Sequence, residues 1–90
     1  MLGFRMVRRR GEVDILTDIL SVALKDVRVT HLMYRANLSY STLRKYLSAS
    51  LDKGLIGKVN HGDGSVVYCT TEKGRLLLEK LRDVKYALRG

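Results

Sequence analysis

Hydroxyl and cationic side chains cluster near the middle of the chain. Side chains of these types can form hydrogen bonds to base edges and to phosphates. The cluster consists of Ser39, Ser41, Thr42, Arg44, Lys45 and Ser48. Small side chains let a helix backbone approach base edges closely, and hydroxyl groups can pair with several bases or with phosphate. Acidic residues are nearly missing from this stretch. The residue types therefore favour contact with nucleic acid over the alternative, an ordinary solvated face that would mix Glu with Lys.

These side chains belong to a predicted amphipathic helix over residues 40–53. At about 100° per residue, apolar and small positions fall on one face and the polar cluster falls on the opposite face. The inward face contains Tyr40, Leu43, Leu47, Ser50 and Leu51. Gly54 is expected to end the helix in the left-handed conformation, which glycine adopts without steric cost.

A tight break before this helix makes it the second half of a helix-turn-helix. Asn37 can adopt the left-handed conformation that ends a short helix over residues 30–36, and Ser39 can cap the helix that follows. The second helix of such a motif enters the major groove of DNA. A longer amphipathic helix is predicted before the motif, over residues 12–25.

Two β-prone runs follow the motif, over residues 55–59 and 65–70, and the Asp63-Gly64 pair between them signals a hairpin turn. A hairpin directly after a helix-turn-helix makes a winged helix. Lys58, Asn60 and His61 are placed near the tip of this wing, where they could contact the minor groove or the DNA backbone. Glycine-rich turns also occur for purely geometric reasons, and the sequence leaves both interpretations open.

The last helix has two apolar sides and begins at Thr71, a predicted N-cap. Four apolar residues step by the four, three and four positions of a coiled-coil heptad. These heptad residues are Leu77, Leu81, Val84 and Leu88. Leu76 and Leu78 are expected to face the domain's own core. A helix with a second apolar seam suggests a partner subunit, so the four heptad residues are predicted to form a homodimer interface.

The net charge of +8 is unevenly distributed along the chain. Residues 1–10 contain four arginines and no acid, and residues 27–60 contain six basic residues against one acid. Such segregation is typical of nucleic-acid binding. We therefore expect a basic arm at residues 1–11, followed by a winged-helix domain at 12–72 and a dimerisation helix at 73–90. The arm residues predicted to contact DNA are Arg8, Arg9 and Arg10.

No enzyme function is predicted, because the residues that could support catalysis are isolated from one another. His31 and His61 are far apart and lack a cysteine or carboxylate at metal-ligand spacing. Cys69 lies in a strand-like run, where a small buried hydrophobic residue is the commoner role. The Gly62-Asp-Gly turn is not followed by the helix of a phosphate-binding loop. The sequence accordingly predicts no cofactor, no metal and no small-molecule ligand.

The chain also shows no sign of export or membrane insertion. It has no apolar run of about 18 residues, and its first residues lack the long apolar core of a secretory signal. Its single cysteine cannot form an internal disulfide. A cytoplasmic, nucleoid-associated protein without a membrane partner is expected, and its five tyrosines are interpreted as core and interface residues.

Five motifs occur in a fixed order along the chain. They are Val13–Leu16, Thr30–Tyr40, Leu43–Leu47, Lys53–Ile56 and Tyr68–Gly74. Together they resemble an archaeal winged-helix family of predicted transcriptional regulators and small chromatin-type DNA binders. The resemblance implies a dimer joined through the C-terminal helix. Thr70 stands where this family usually has an apolar residue, and a looser base of the wing is expected there.

The combined prediction is an α+β winged helix-turn-helix with three helices, a two-stranded wing and a C-terminal dimerisation helix. The expected function is binding of double-stranded DNA by a dimeric transcriptional regulator that reads the major groove with helix 40–53. The alternative is an architectural nucleoid protein with little sequence preference. A protein–protein assembly module is disfavoured, because it would not need cations on an acid-poor helix face and arm.

Overall fold

The structure is a computed structural model that describes residues 10–89 as four helices and one antiparallel hairpin. The elements are α1 (Glu12–Val22), α2 (Val29–Arg35), α3 (Tyr40–Asp52), β1 (Ile56–Asn60), β2 (Val66–Thr70) and α4 (Glu72–Arg89). This order confirms the predicted α+β winged helix-turn-helix. Within residues 10–89, no helix is both long enough and apolar enough to cross a membrane.

A single apolar core connects the four helices to the start of the wing. Its buried members are Ile19, Leu20, Ala23, Val27, Leu32, Ala36, Leu43, Leu47, Leu55, Ile56 and Leu78. Burying each large apolar side chain contributes about 1.5–3 kcal/mol to folding. Because Leu43 and Leu47 are both in this core, α3 is held with one face inward and the opposite face toward solvent.

The turns around α3 follow the local sequence signals. Asn37 has a left-handed backbone, with a φ of 55°, and Ser39 caps α3 by accepting a hydrogen bond from the backbone N–H of Thr42 at 3.2 Å. At the other end of α3, Gly54 is left-handed with a φ of 72°. The predicted turn, cap and helix end are thus confirmed, and they fix the direction in which α3 leaves α2.

The first helix is shorter than predicted, since α1 ends at Val22 and not at residue 25. Its last carbonyls bond to the end of the wing. The backbone N–H of Thr70 donates to the carbonyl oxygen of Ala23 at 2.7 Å, and the Thr70 hydroxyl donates to that of Leu20 at 2.8 Å. Thr70 is buried. The expectation that Thr70 loosens the wing is wrong, because its hydroxyl satisfies a buried carbonyl that an apolar residue would leave unpaired.

The wing is a regular two-stranded hairpin, and its second strand also pairs with a single residue on its other side. In β1 and β2 the register runs from Ile56 opposite Thr70 to Asn60 opposite Val66. On the other side of β2, Val27 forms an isolated bridge with Tyr68, with N···O distances of 3.0 and 2.8 Å. No pattern in the sequence indicates this bridge. It anchors the segment between α1 and α2 to the wing.

The start of α4 packs unusually closely against the residue that precedes β1. The Thr71 hydroxyl accepts a hydrogen bond from the N–H of Gly74 at 3.0 Å, which confirms the predicted N-cap, and donates to the carbonyl of Gly54 at 2.6 Å. Gly74 is buried against the backbone of Leu55. This contact sets the rotation of α4. Leu78, one turn beyond Gly74, is therefore buried as predicted.

The same rotation places Leu76 away from the core. Leu76 is two residues from both Gly74 and Leu78, which puts it on the opposite side of the helix. It is 52% exposed, so the prediction that it faces the core is wrong.

Two polar contacts fasten α4 to α1. The Lys85 ammonium lies 2.9 Å from a carboxylate oxygen of Asp14, and the Arg82 guanidinium donates to the Ser21 hydroxyl at 2.9 Å. The hydrogen bond from Lys85 holds the pKa of Asp14 below its ordinary value. Part of the negative charge of α1 is thus neutralised by a cation of the same domain.

Candidate nucleic-acid interface

The outward face of α3 presents the predicted polar cluster to solvent. Ser41, Arg44, Lys45 and Ser48 are exposed, and Thr42 is half-buried. Neither cation of this face forms an ion pair with a carboxylate within residues 10–89. The structure therefore brings together hydroxyl groups and two unpaired cations on one helix face, with Leu43 and Leu47 holding the opposite face in the core.

Hydroxyl groups at the start of α3 are partly used within the protein. The Ser39 hydroxyl donates to the Thr42 hydroxyl at 3.0 Å while it caps the helix, and it lies 3.4 Å from the Ser41 hydroxyl. Ser39 was predicted to contact DNA, and its observed contacts are those of a helix cap. Ser41 and Ser48 keep hydroxyl groups that face solvent.

Arg44 is oriented by the tyrosine one turn before it. Its guanidinium donates to the Tyr40 hydroxyl at 3.2 Å and lies 5.9 Å from the centre of the ring. Such a cation–π contact restrains an otherwise flexible side chain. Tyr40 was predicted to face inward, but it is 55% exposed, so that prediction is wrong. Tyr34 and Tyr86 are exposed too, so these three tyrosines are not core residues, and a place at an interface stays a prediction for them.

The wing residues that are predicted to bind DNA lie at different distances from the tip of the hairpin. Lys58, predicted to lie near the tip, is in the middle of β1 opposite Tyr68, farther from the tip than Asn60 and His61. Asn60 ends β1, and His61 lies in the turn. All three side chains are exposed.

The tip of the wing contains a carboxylate. Asp63 accepts hydrogen bonds from the backbone N–H of Ser65 at 3.0 Å and from its hydroxyl at 2.7 Å. These bonds lower the pKa of Asp63, so the group is ionised at neutral pH. A negative charge at the tip opposes close contact with phosphate, which makes the tip a poorer DNA contact than its glycines suggested.

A cleft of about 220 Å³ separates α3 from the wing. It is lined by Arg44, Leu47, Ser48, Leu51, Lys58 and Tyr68. Tyr68 was not among the predicted site residues. The turn predicted at Asp63-Gly64 would place Cys69 opposite Lys58, whereas the observed register places Tyr68 there, so the sequence held no direct signal for this residue.

The last residue of the predicted basic arm is docked on the domain. Arg10 donates to the carbonyls of Ala36 at 2.7 Å and Asn37 at 2.9 Å, and it forms an ion pair with Asp18 at 2.6 Å. It therefore stabilises the end of α2, a role that the sequence did not indicate, and its contact with DNA stays a prediction. Arg8 and Arg9, predicted to contact DNA, lie outside the described residues.

The predicted dimer seam on α4 is only partly uncovered. Val84 is 46% exposed and Leu88 is 80% exposed, whereas Leu77 and Leu81 are half-buried against the core of their own domain. An open groove of about 540 Å³ borders the seam. It is lined by Lys53, Leu55, Lys73, Leu76, Leu77 and Lys80. The Lys73 ammonium donates to the carbonyl of Lys53 at 2.8 Å, which ties α4 to the end of α3.

The described residues offer no centre for metal binding. Among residues 10–89, no group of three His, Cys, Asp or Glu side chains lies close enough to hold an ion. Cys69 is half-buried, and loss of solvation raises the pKa of its thiol. A raised pKa makes the reactive thiolate scarce at neutral pH.

The family model of the winged helix-turn-helix matches residues 9–88, nearly the whole chain and every element described above. The chain belongs to the winged helix-turn-helix family. Membership in this family confirms the resemblance drawn from the sequence motifs, and it agrees with the expectation that the chain is not an enzyme.

Similar proteins are found among archaea. An uncharacterised protein of Methanocaldococcus jannaschii is 42% identical over 77 residues, which are 84% of this chain and 34% of that protein. The chain thus spans about a third of that relative's length. The crystal structure of Sso10a-2, a DNA-binding protein from Sulfolobus solfataricus, superposes with a TM-score of 0.82 at 28% identity, covering 89% of this chain and 83% of that one.

The transcriptional regulator BldR from the same organism has a TM-score of 0.74 at 21% identity, covering 82% of this chain and 55% of BldR. At this identity the similarity to BldR shows a shared fold.

Proposed function

We propose that this protein binds double-stranded DNA as a dimeric transcriptional regulator, with the outward face of α3 in the major groove. The observation that supports this most directly is the exposed face of α3, where Arg44 and Lys45 stand among hydroxyl groups without a carboxylate partner in the described chain. An α-helix with its side chains is about 10–12 Å wide and fits a major groove about 12 Å wide.

The charge distribution and the comparisons support the same proposal. Asp14 and Asp18 of α1 are each paired with a cation of the domain, so they contribute little repulsion toward DNA. The net charge of +8 favours association with a polyanion. Sso10a-2, which shares the fold over most of its length, is named a DNA-binding protein. A location at the nucleoid would follow from DNA binding.

The dimer is proposed to form through α4, with two recognition helices placed on one duplex. Val84 and Leu88 are apolar side chains that the domain leaves exposed, and both continue the heptad begun by Leu77 and Leu81. Two-fold pairing would suit a pseudo-palindromic DNA site.

Architectural DNA coating is the second candidate. Short hydroxyl side chains on the outward face of α3 can bond to phosphate as readily as to bases, which would give binding with little sequence preference. Footprinting on genomic fragments with competitor DNA separates the two roles. Discrete protected sites would support a regulator, and uniform protection would support an architectural protein.

The DNA-binding proposal is tested by fluorescence anisotropy with labelled duplexes over a range of salt concentrations. Arg44→Ala and Lys45→Ala should each weaken binding while leaving the melting temperature unchanged, because both side chains are exposed. Lys25→Ala, an exposed lysine just after α1, is the matched control and should bind like the parent. If the Arg44 and Lys45 variants also bind like the parent, α3 is not the recognition helix. Affinity that does not change with salt would contradict DNA binding through phosphates.

The dimer is tested by sedimentation of the Val84→Glu, Leu88→Glu double variant. Because both residues are exposed in the protomer, the variant should fold and sediment as a monomer with weaker DNA binding. Tyr86→Glu is the matched control, since Tyr86 is 79% exposed and lies off the heptad seam. A parent protein that remains monomeric at high micromolar concentration would contradict the dimer.

A further inference from the structure

We propose that the cleft between α3 and the wing holds one phosphate of the DNA backbone, bound jointly by Arg44 and Lys58. This inference rests on the DNA-binding function proposed above and assigns its chemistry more finely. It makes Arg44 and Lys58 a single phosphate-binding unit, built from the recognition helix and the wing. Arg44 then contributes affinity on every DNA sequence, while base contacts are left to Ser41 and Lys45.

The lining of the cleft has the chemistry of an anion site. Arg44 and Lys58 supply two cations from different elements, and Ser48 and Tyr68 bring hydroxyl groups. The remaining lining residues are leucines of α3, and no carboxylate lines the cleft. Its volume is about 220 Å³, well above the minimum that a single water molecule needs. A phosphodiester group with several bound waters would fit in that space.

The position of the cleft matches the position of the DNA backbone. A helix that nearly fills the major groove has its flanks against the two phosphate-lined walls of that groove. Ser48 is exposed on α3 while Leu47, its neighbour, is buried, so this part of α3 is the boundary between the outward face and the core. The wing stands beside that boundary, because β1 packs on α3. A phosphate of the groove wall would therefore enter between them.

Part of the lining of the cleft is held in place before DNA arrives. The Arg44 guanidinium is restrained by Tyr40, which does not itself line the cleft, through a hydrogen bond of 3.2 Å and a ring contact. Tyr68 lies in a strand that pairs on both sides, with β1 at Lys58 and with Val27. A site whose donors are already positioned loses less conformational entropy on binding.

The first experiment compares salt dependence in single and double variants. Binding is measured by anisotropy for the parent, Arg44→Ala, Lys58→Ala and the double variant. Each neutralised phosphate contributes about −0.9 to the log–log slope. If both cations neutralise the same phosphate, the double variant should lose only about 0.9 of slope. Between about 50 and 200 mM salt, the parent should then lose about 3.5-fold more affinity than the double variant.

A second pair of substitutions serves as the control for non-additive losses of affinity. Lys45→Ala combined with Lys58→Ala should multiply the two single losses, because Lys45 does not line the cleft. The Arg44 and Lys58 losses should deviate from their product, because both side chains act on the same phosphate. A loss of slope of about 1.8, with multiplied losses, would mean two separate phosphates and would overturn the shared site.

The second experiment removes the phosphate charge from the DNA. Methylphosphonate linkages, which are uncharged, are placed one at a time along the footprinted duplex. At one position per half-site, the neutral linkage should weaken the parent but leave the Arg44, Lys58 double variant unaffected. Tyr68→Phe should reduce the sensitivity of the parent at that same position. If every position weakens the parent and the double variant equally, the cleft does not hold a phosphate.

The two proposals fail in different ways. A parent protein that binds no duplex would overturn both DNA binding and the phosphate site. Tight, salt-dependent binding by the parent together with unchanged binding by the double variant would overturn the phosphate site alone. Thermal melting of each variant at the same concentration verifies folding, which should be preserved because Arg44 and Lys58 are exposed.

Discussion

Replacing Gly74 by alanine should destabilise the whole domain, although alanine is the better helix former. A Cβ atom added at this position would overlap the carbonyl oxygen of Leu55, and it would lie 2.7 Å from the Thr70 methyl group and 3.1 Å from the Leu55 carbonyl carbon. The overlapping atom belongs to the backbone and cannot rotate away. The same oxygen accepts a hydrogen bond from the N–H of Thr71 at 3.0 Å, so moving it would disturb the start of α4.

The size of the effect follows from three contributions. Alanine gains up to about 1 kcal/mol over glycine in a helix. Overpacking costs about 1–3 kcal/mol, and a backbone contact belongs at the upper end. Weakening the Thr71–Leu55 hydrogen bond costs about another 1 kcal/mol. The net loss of unfolding free energy is about 2 kcal/mol or more, which lowers the melting temperature of a domain of this size by about 8–16 °C.

Thermal and urea unfolding followed by circular dichroism would measure this loss. Gly62→Ala is the matched control, because no atom lies within 4 Å of a Cβ added at Gly62 and its backbone is not left-handed. The control should unfold within about 0.5 kcal/mol of the parent. All proteins are compared at one concentration, since association would shift the transition. A Gly74→Ala protein as stable as the control would refute the close packing of α4 against Leu55.

Three further substitutions test the fold. Thr70→Val should cost about 1–3 kcal/mol, measured by urea unfolding, because a buried α1 carbonyl loses its donor; a gain in stability would restore the expectation of a loose wing. Leu47→Ala should cost about 2–5 kcal/mol in the same assay as a core truncation; a loss below 1 kcal/mol would contradict its burial. Asp14→Asn should lower stability at neutral pH by up to about 1 kcal/mol. Because the pKa of Asp14 is lowered in the folded protein, the stability from its ion pair is lost as the pH falls through that pKa, and thermal melts of variant and parent should converge in acid. A difference in stability between variant and parent that is the same at every pH would show that the Asp14–Lys85 ion pair is not its cause.

Local signals in the sequence predicted the break between α2 and α3, the end of α3 and the start of α4, but not the end of α1. The backbone of Asn37, the caps at Ser39 and Thr71, and the left-handed Gly54 all follow from the chemistry of a few adjacent residues. Each needs only a short side chain or a missing Cβ at one position. The order of elements followed from these signals and from the hydrophobic spacing.

Contacts between distant residues could not be predicted in the same way. Heptad spacing leaves the rotation of α4 undetermined, so Leu76 was placed in the core although the packing of Gly74 turns it outward. The bond between Thr70 and Leu20 joins residues 50 positions apart. Arg10 was grouped with a basic arm because charge alone does not reveal a docking partner. In the candidate site, Tyr68 was missed because no pattern linked it to α3.

Salt would have two opposing effects on the proposed dimer and its DNA binding, because lysines lie beside the heptad residues of α4. If α4 forms the proposed dimer through its heptad residues, Lys80 lies beside the seam in both copies. The pairing then brings cations of the two copies near one another, whereas Lys85 is already neutralised by Asp14 within its own domain. Added salt would screen this repulsion and strengthen the dimer while it weakens each contact with phosphate. Near the dimer dissociation constant, the measured salt slope would then underestimate the number of phosphates bound.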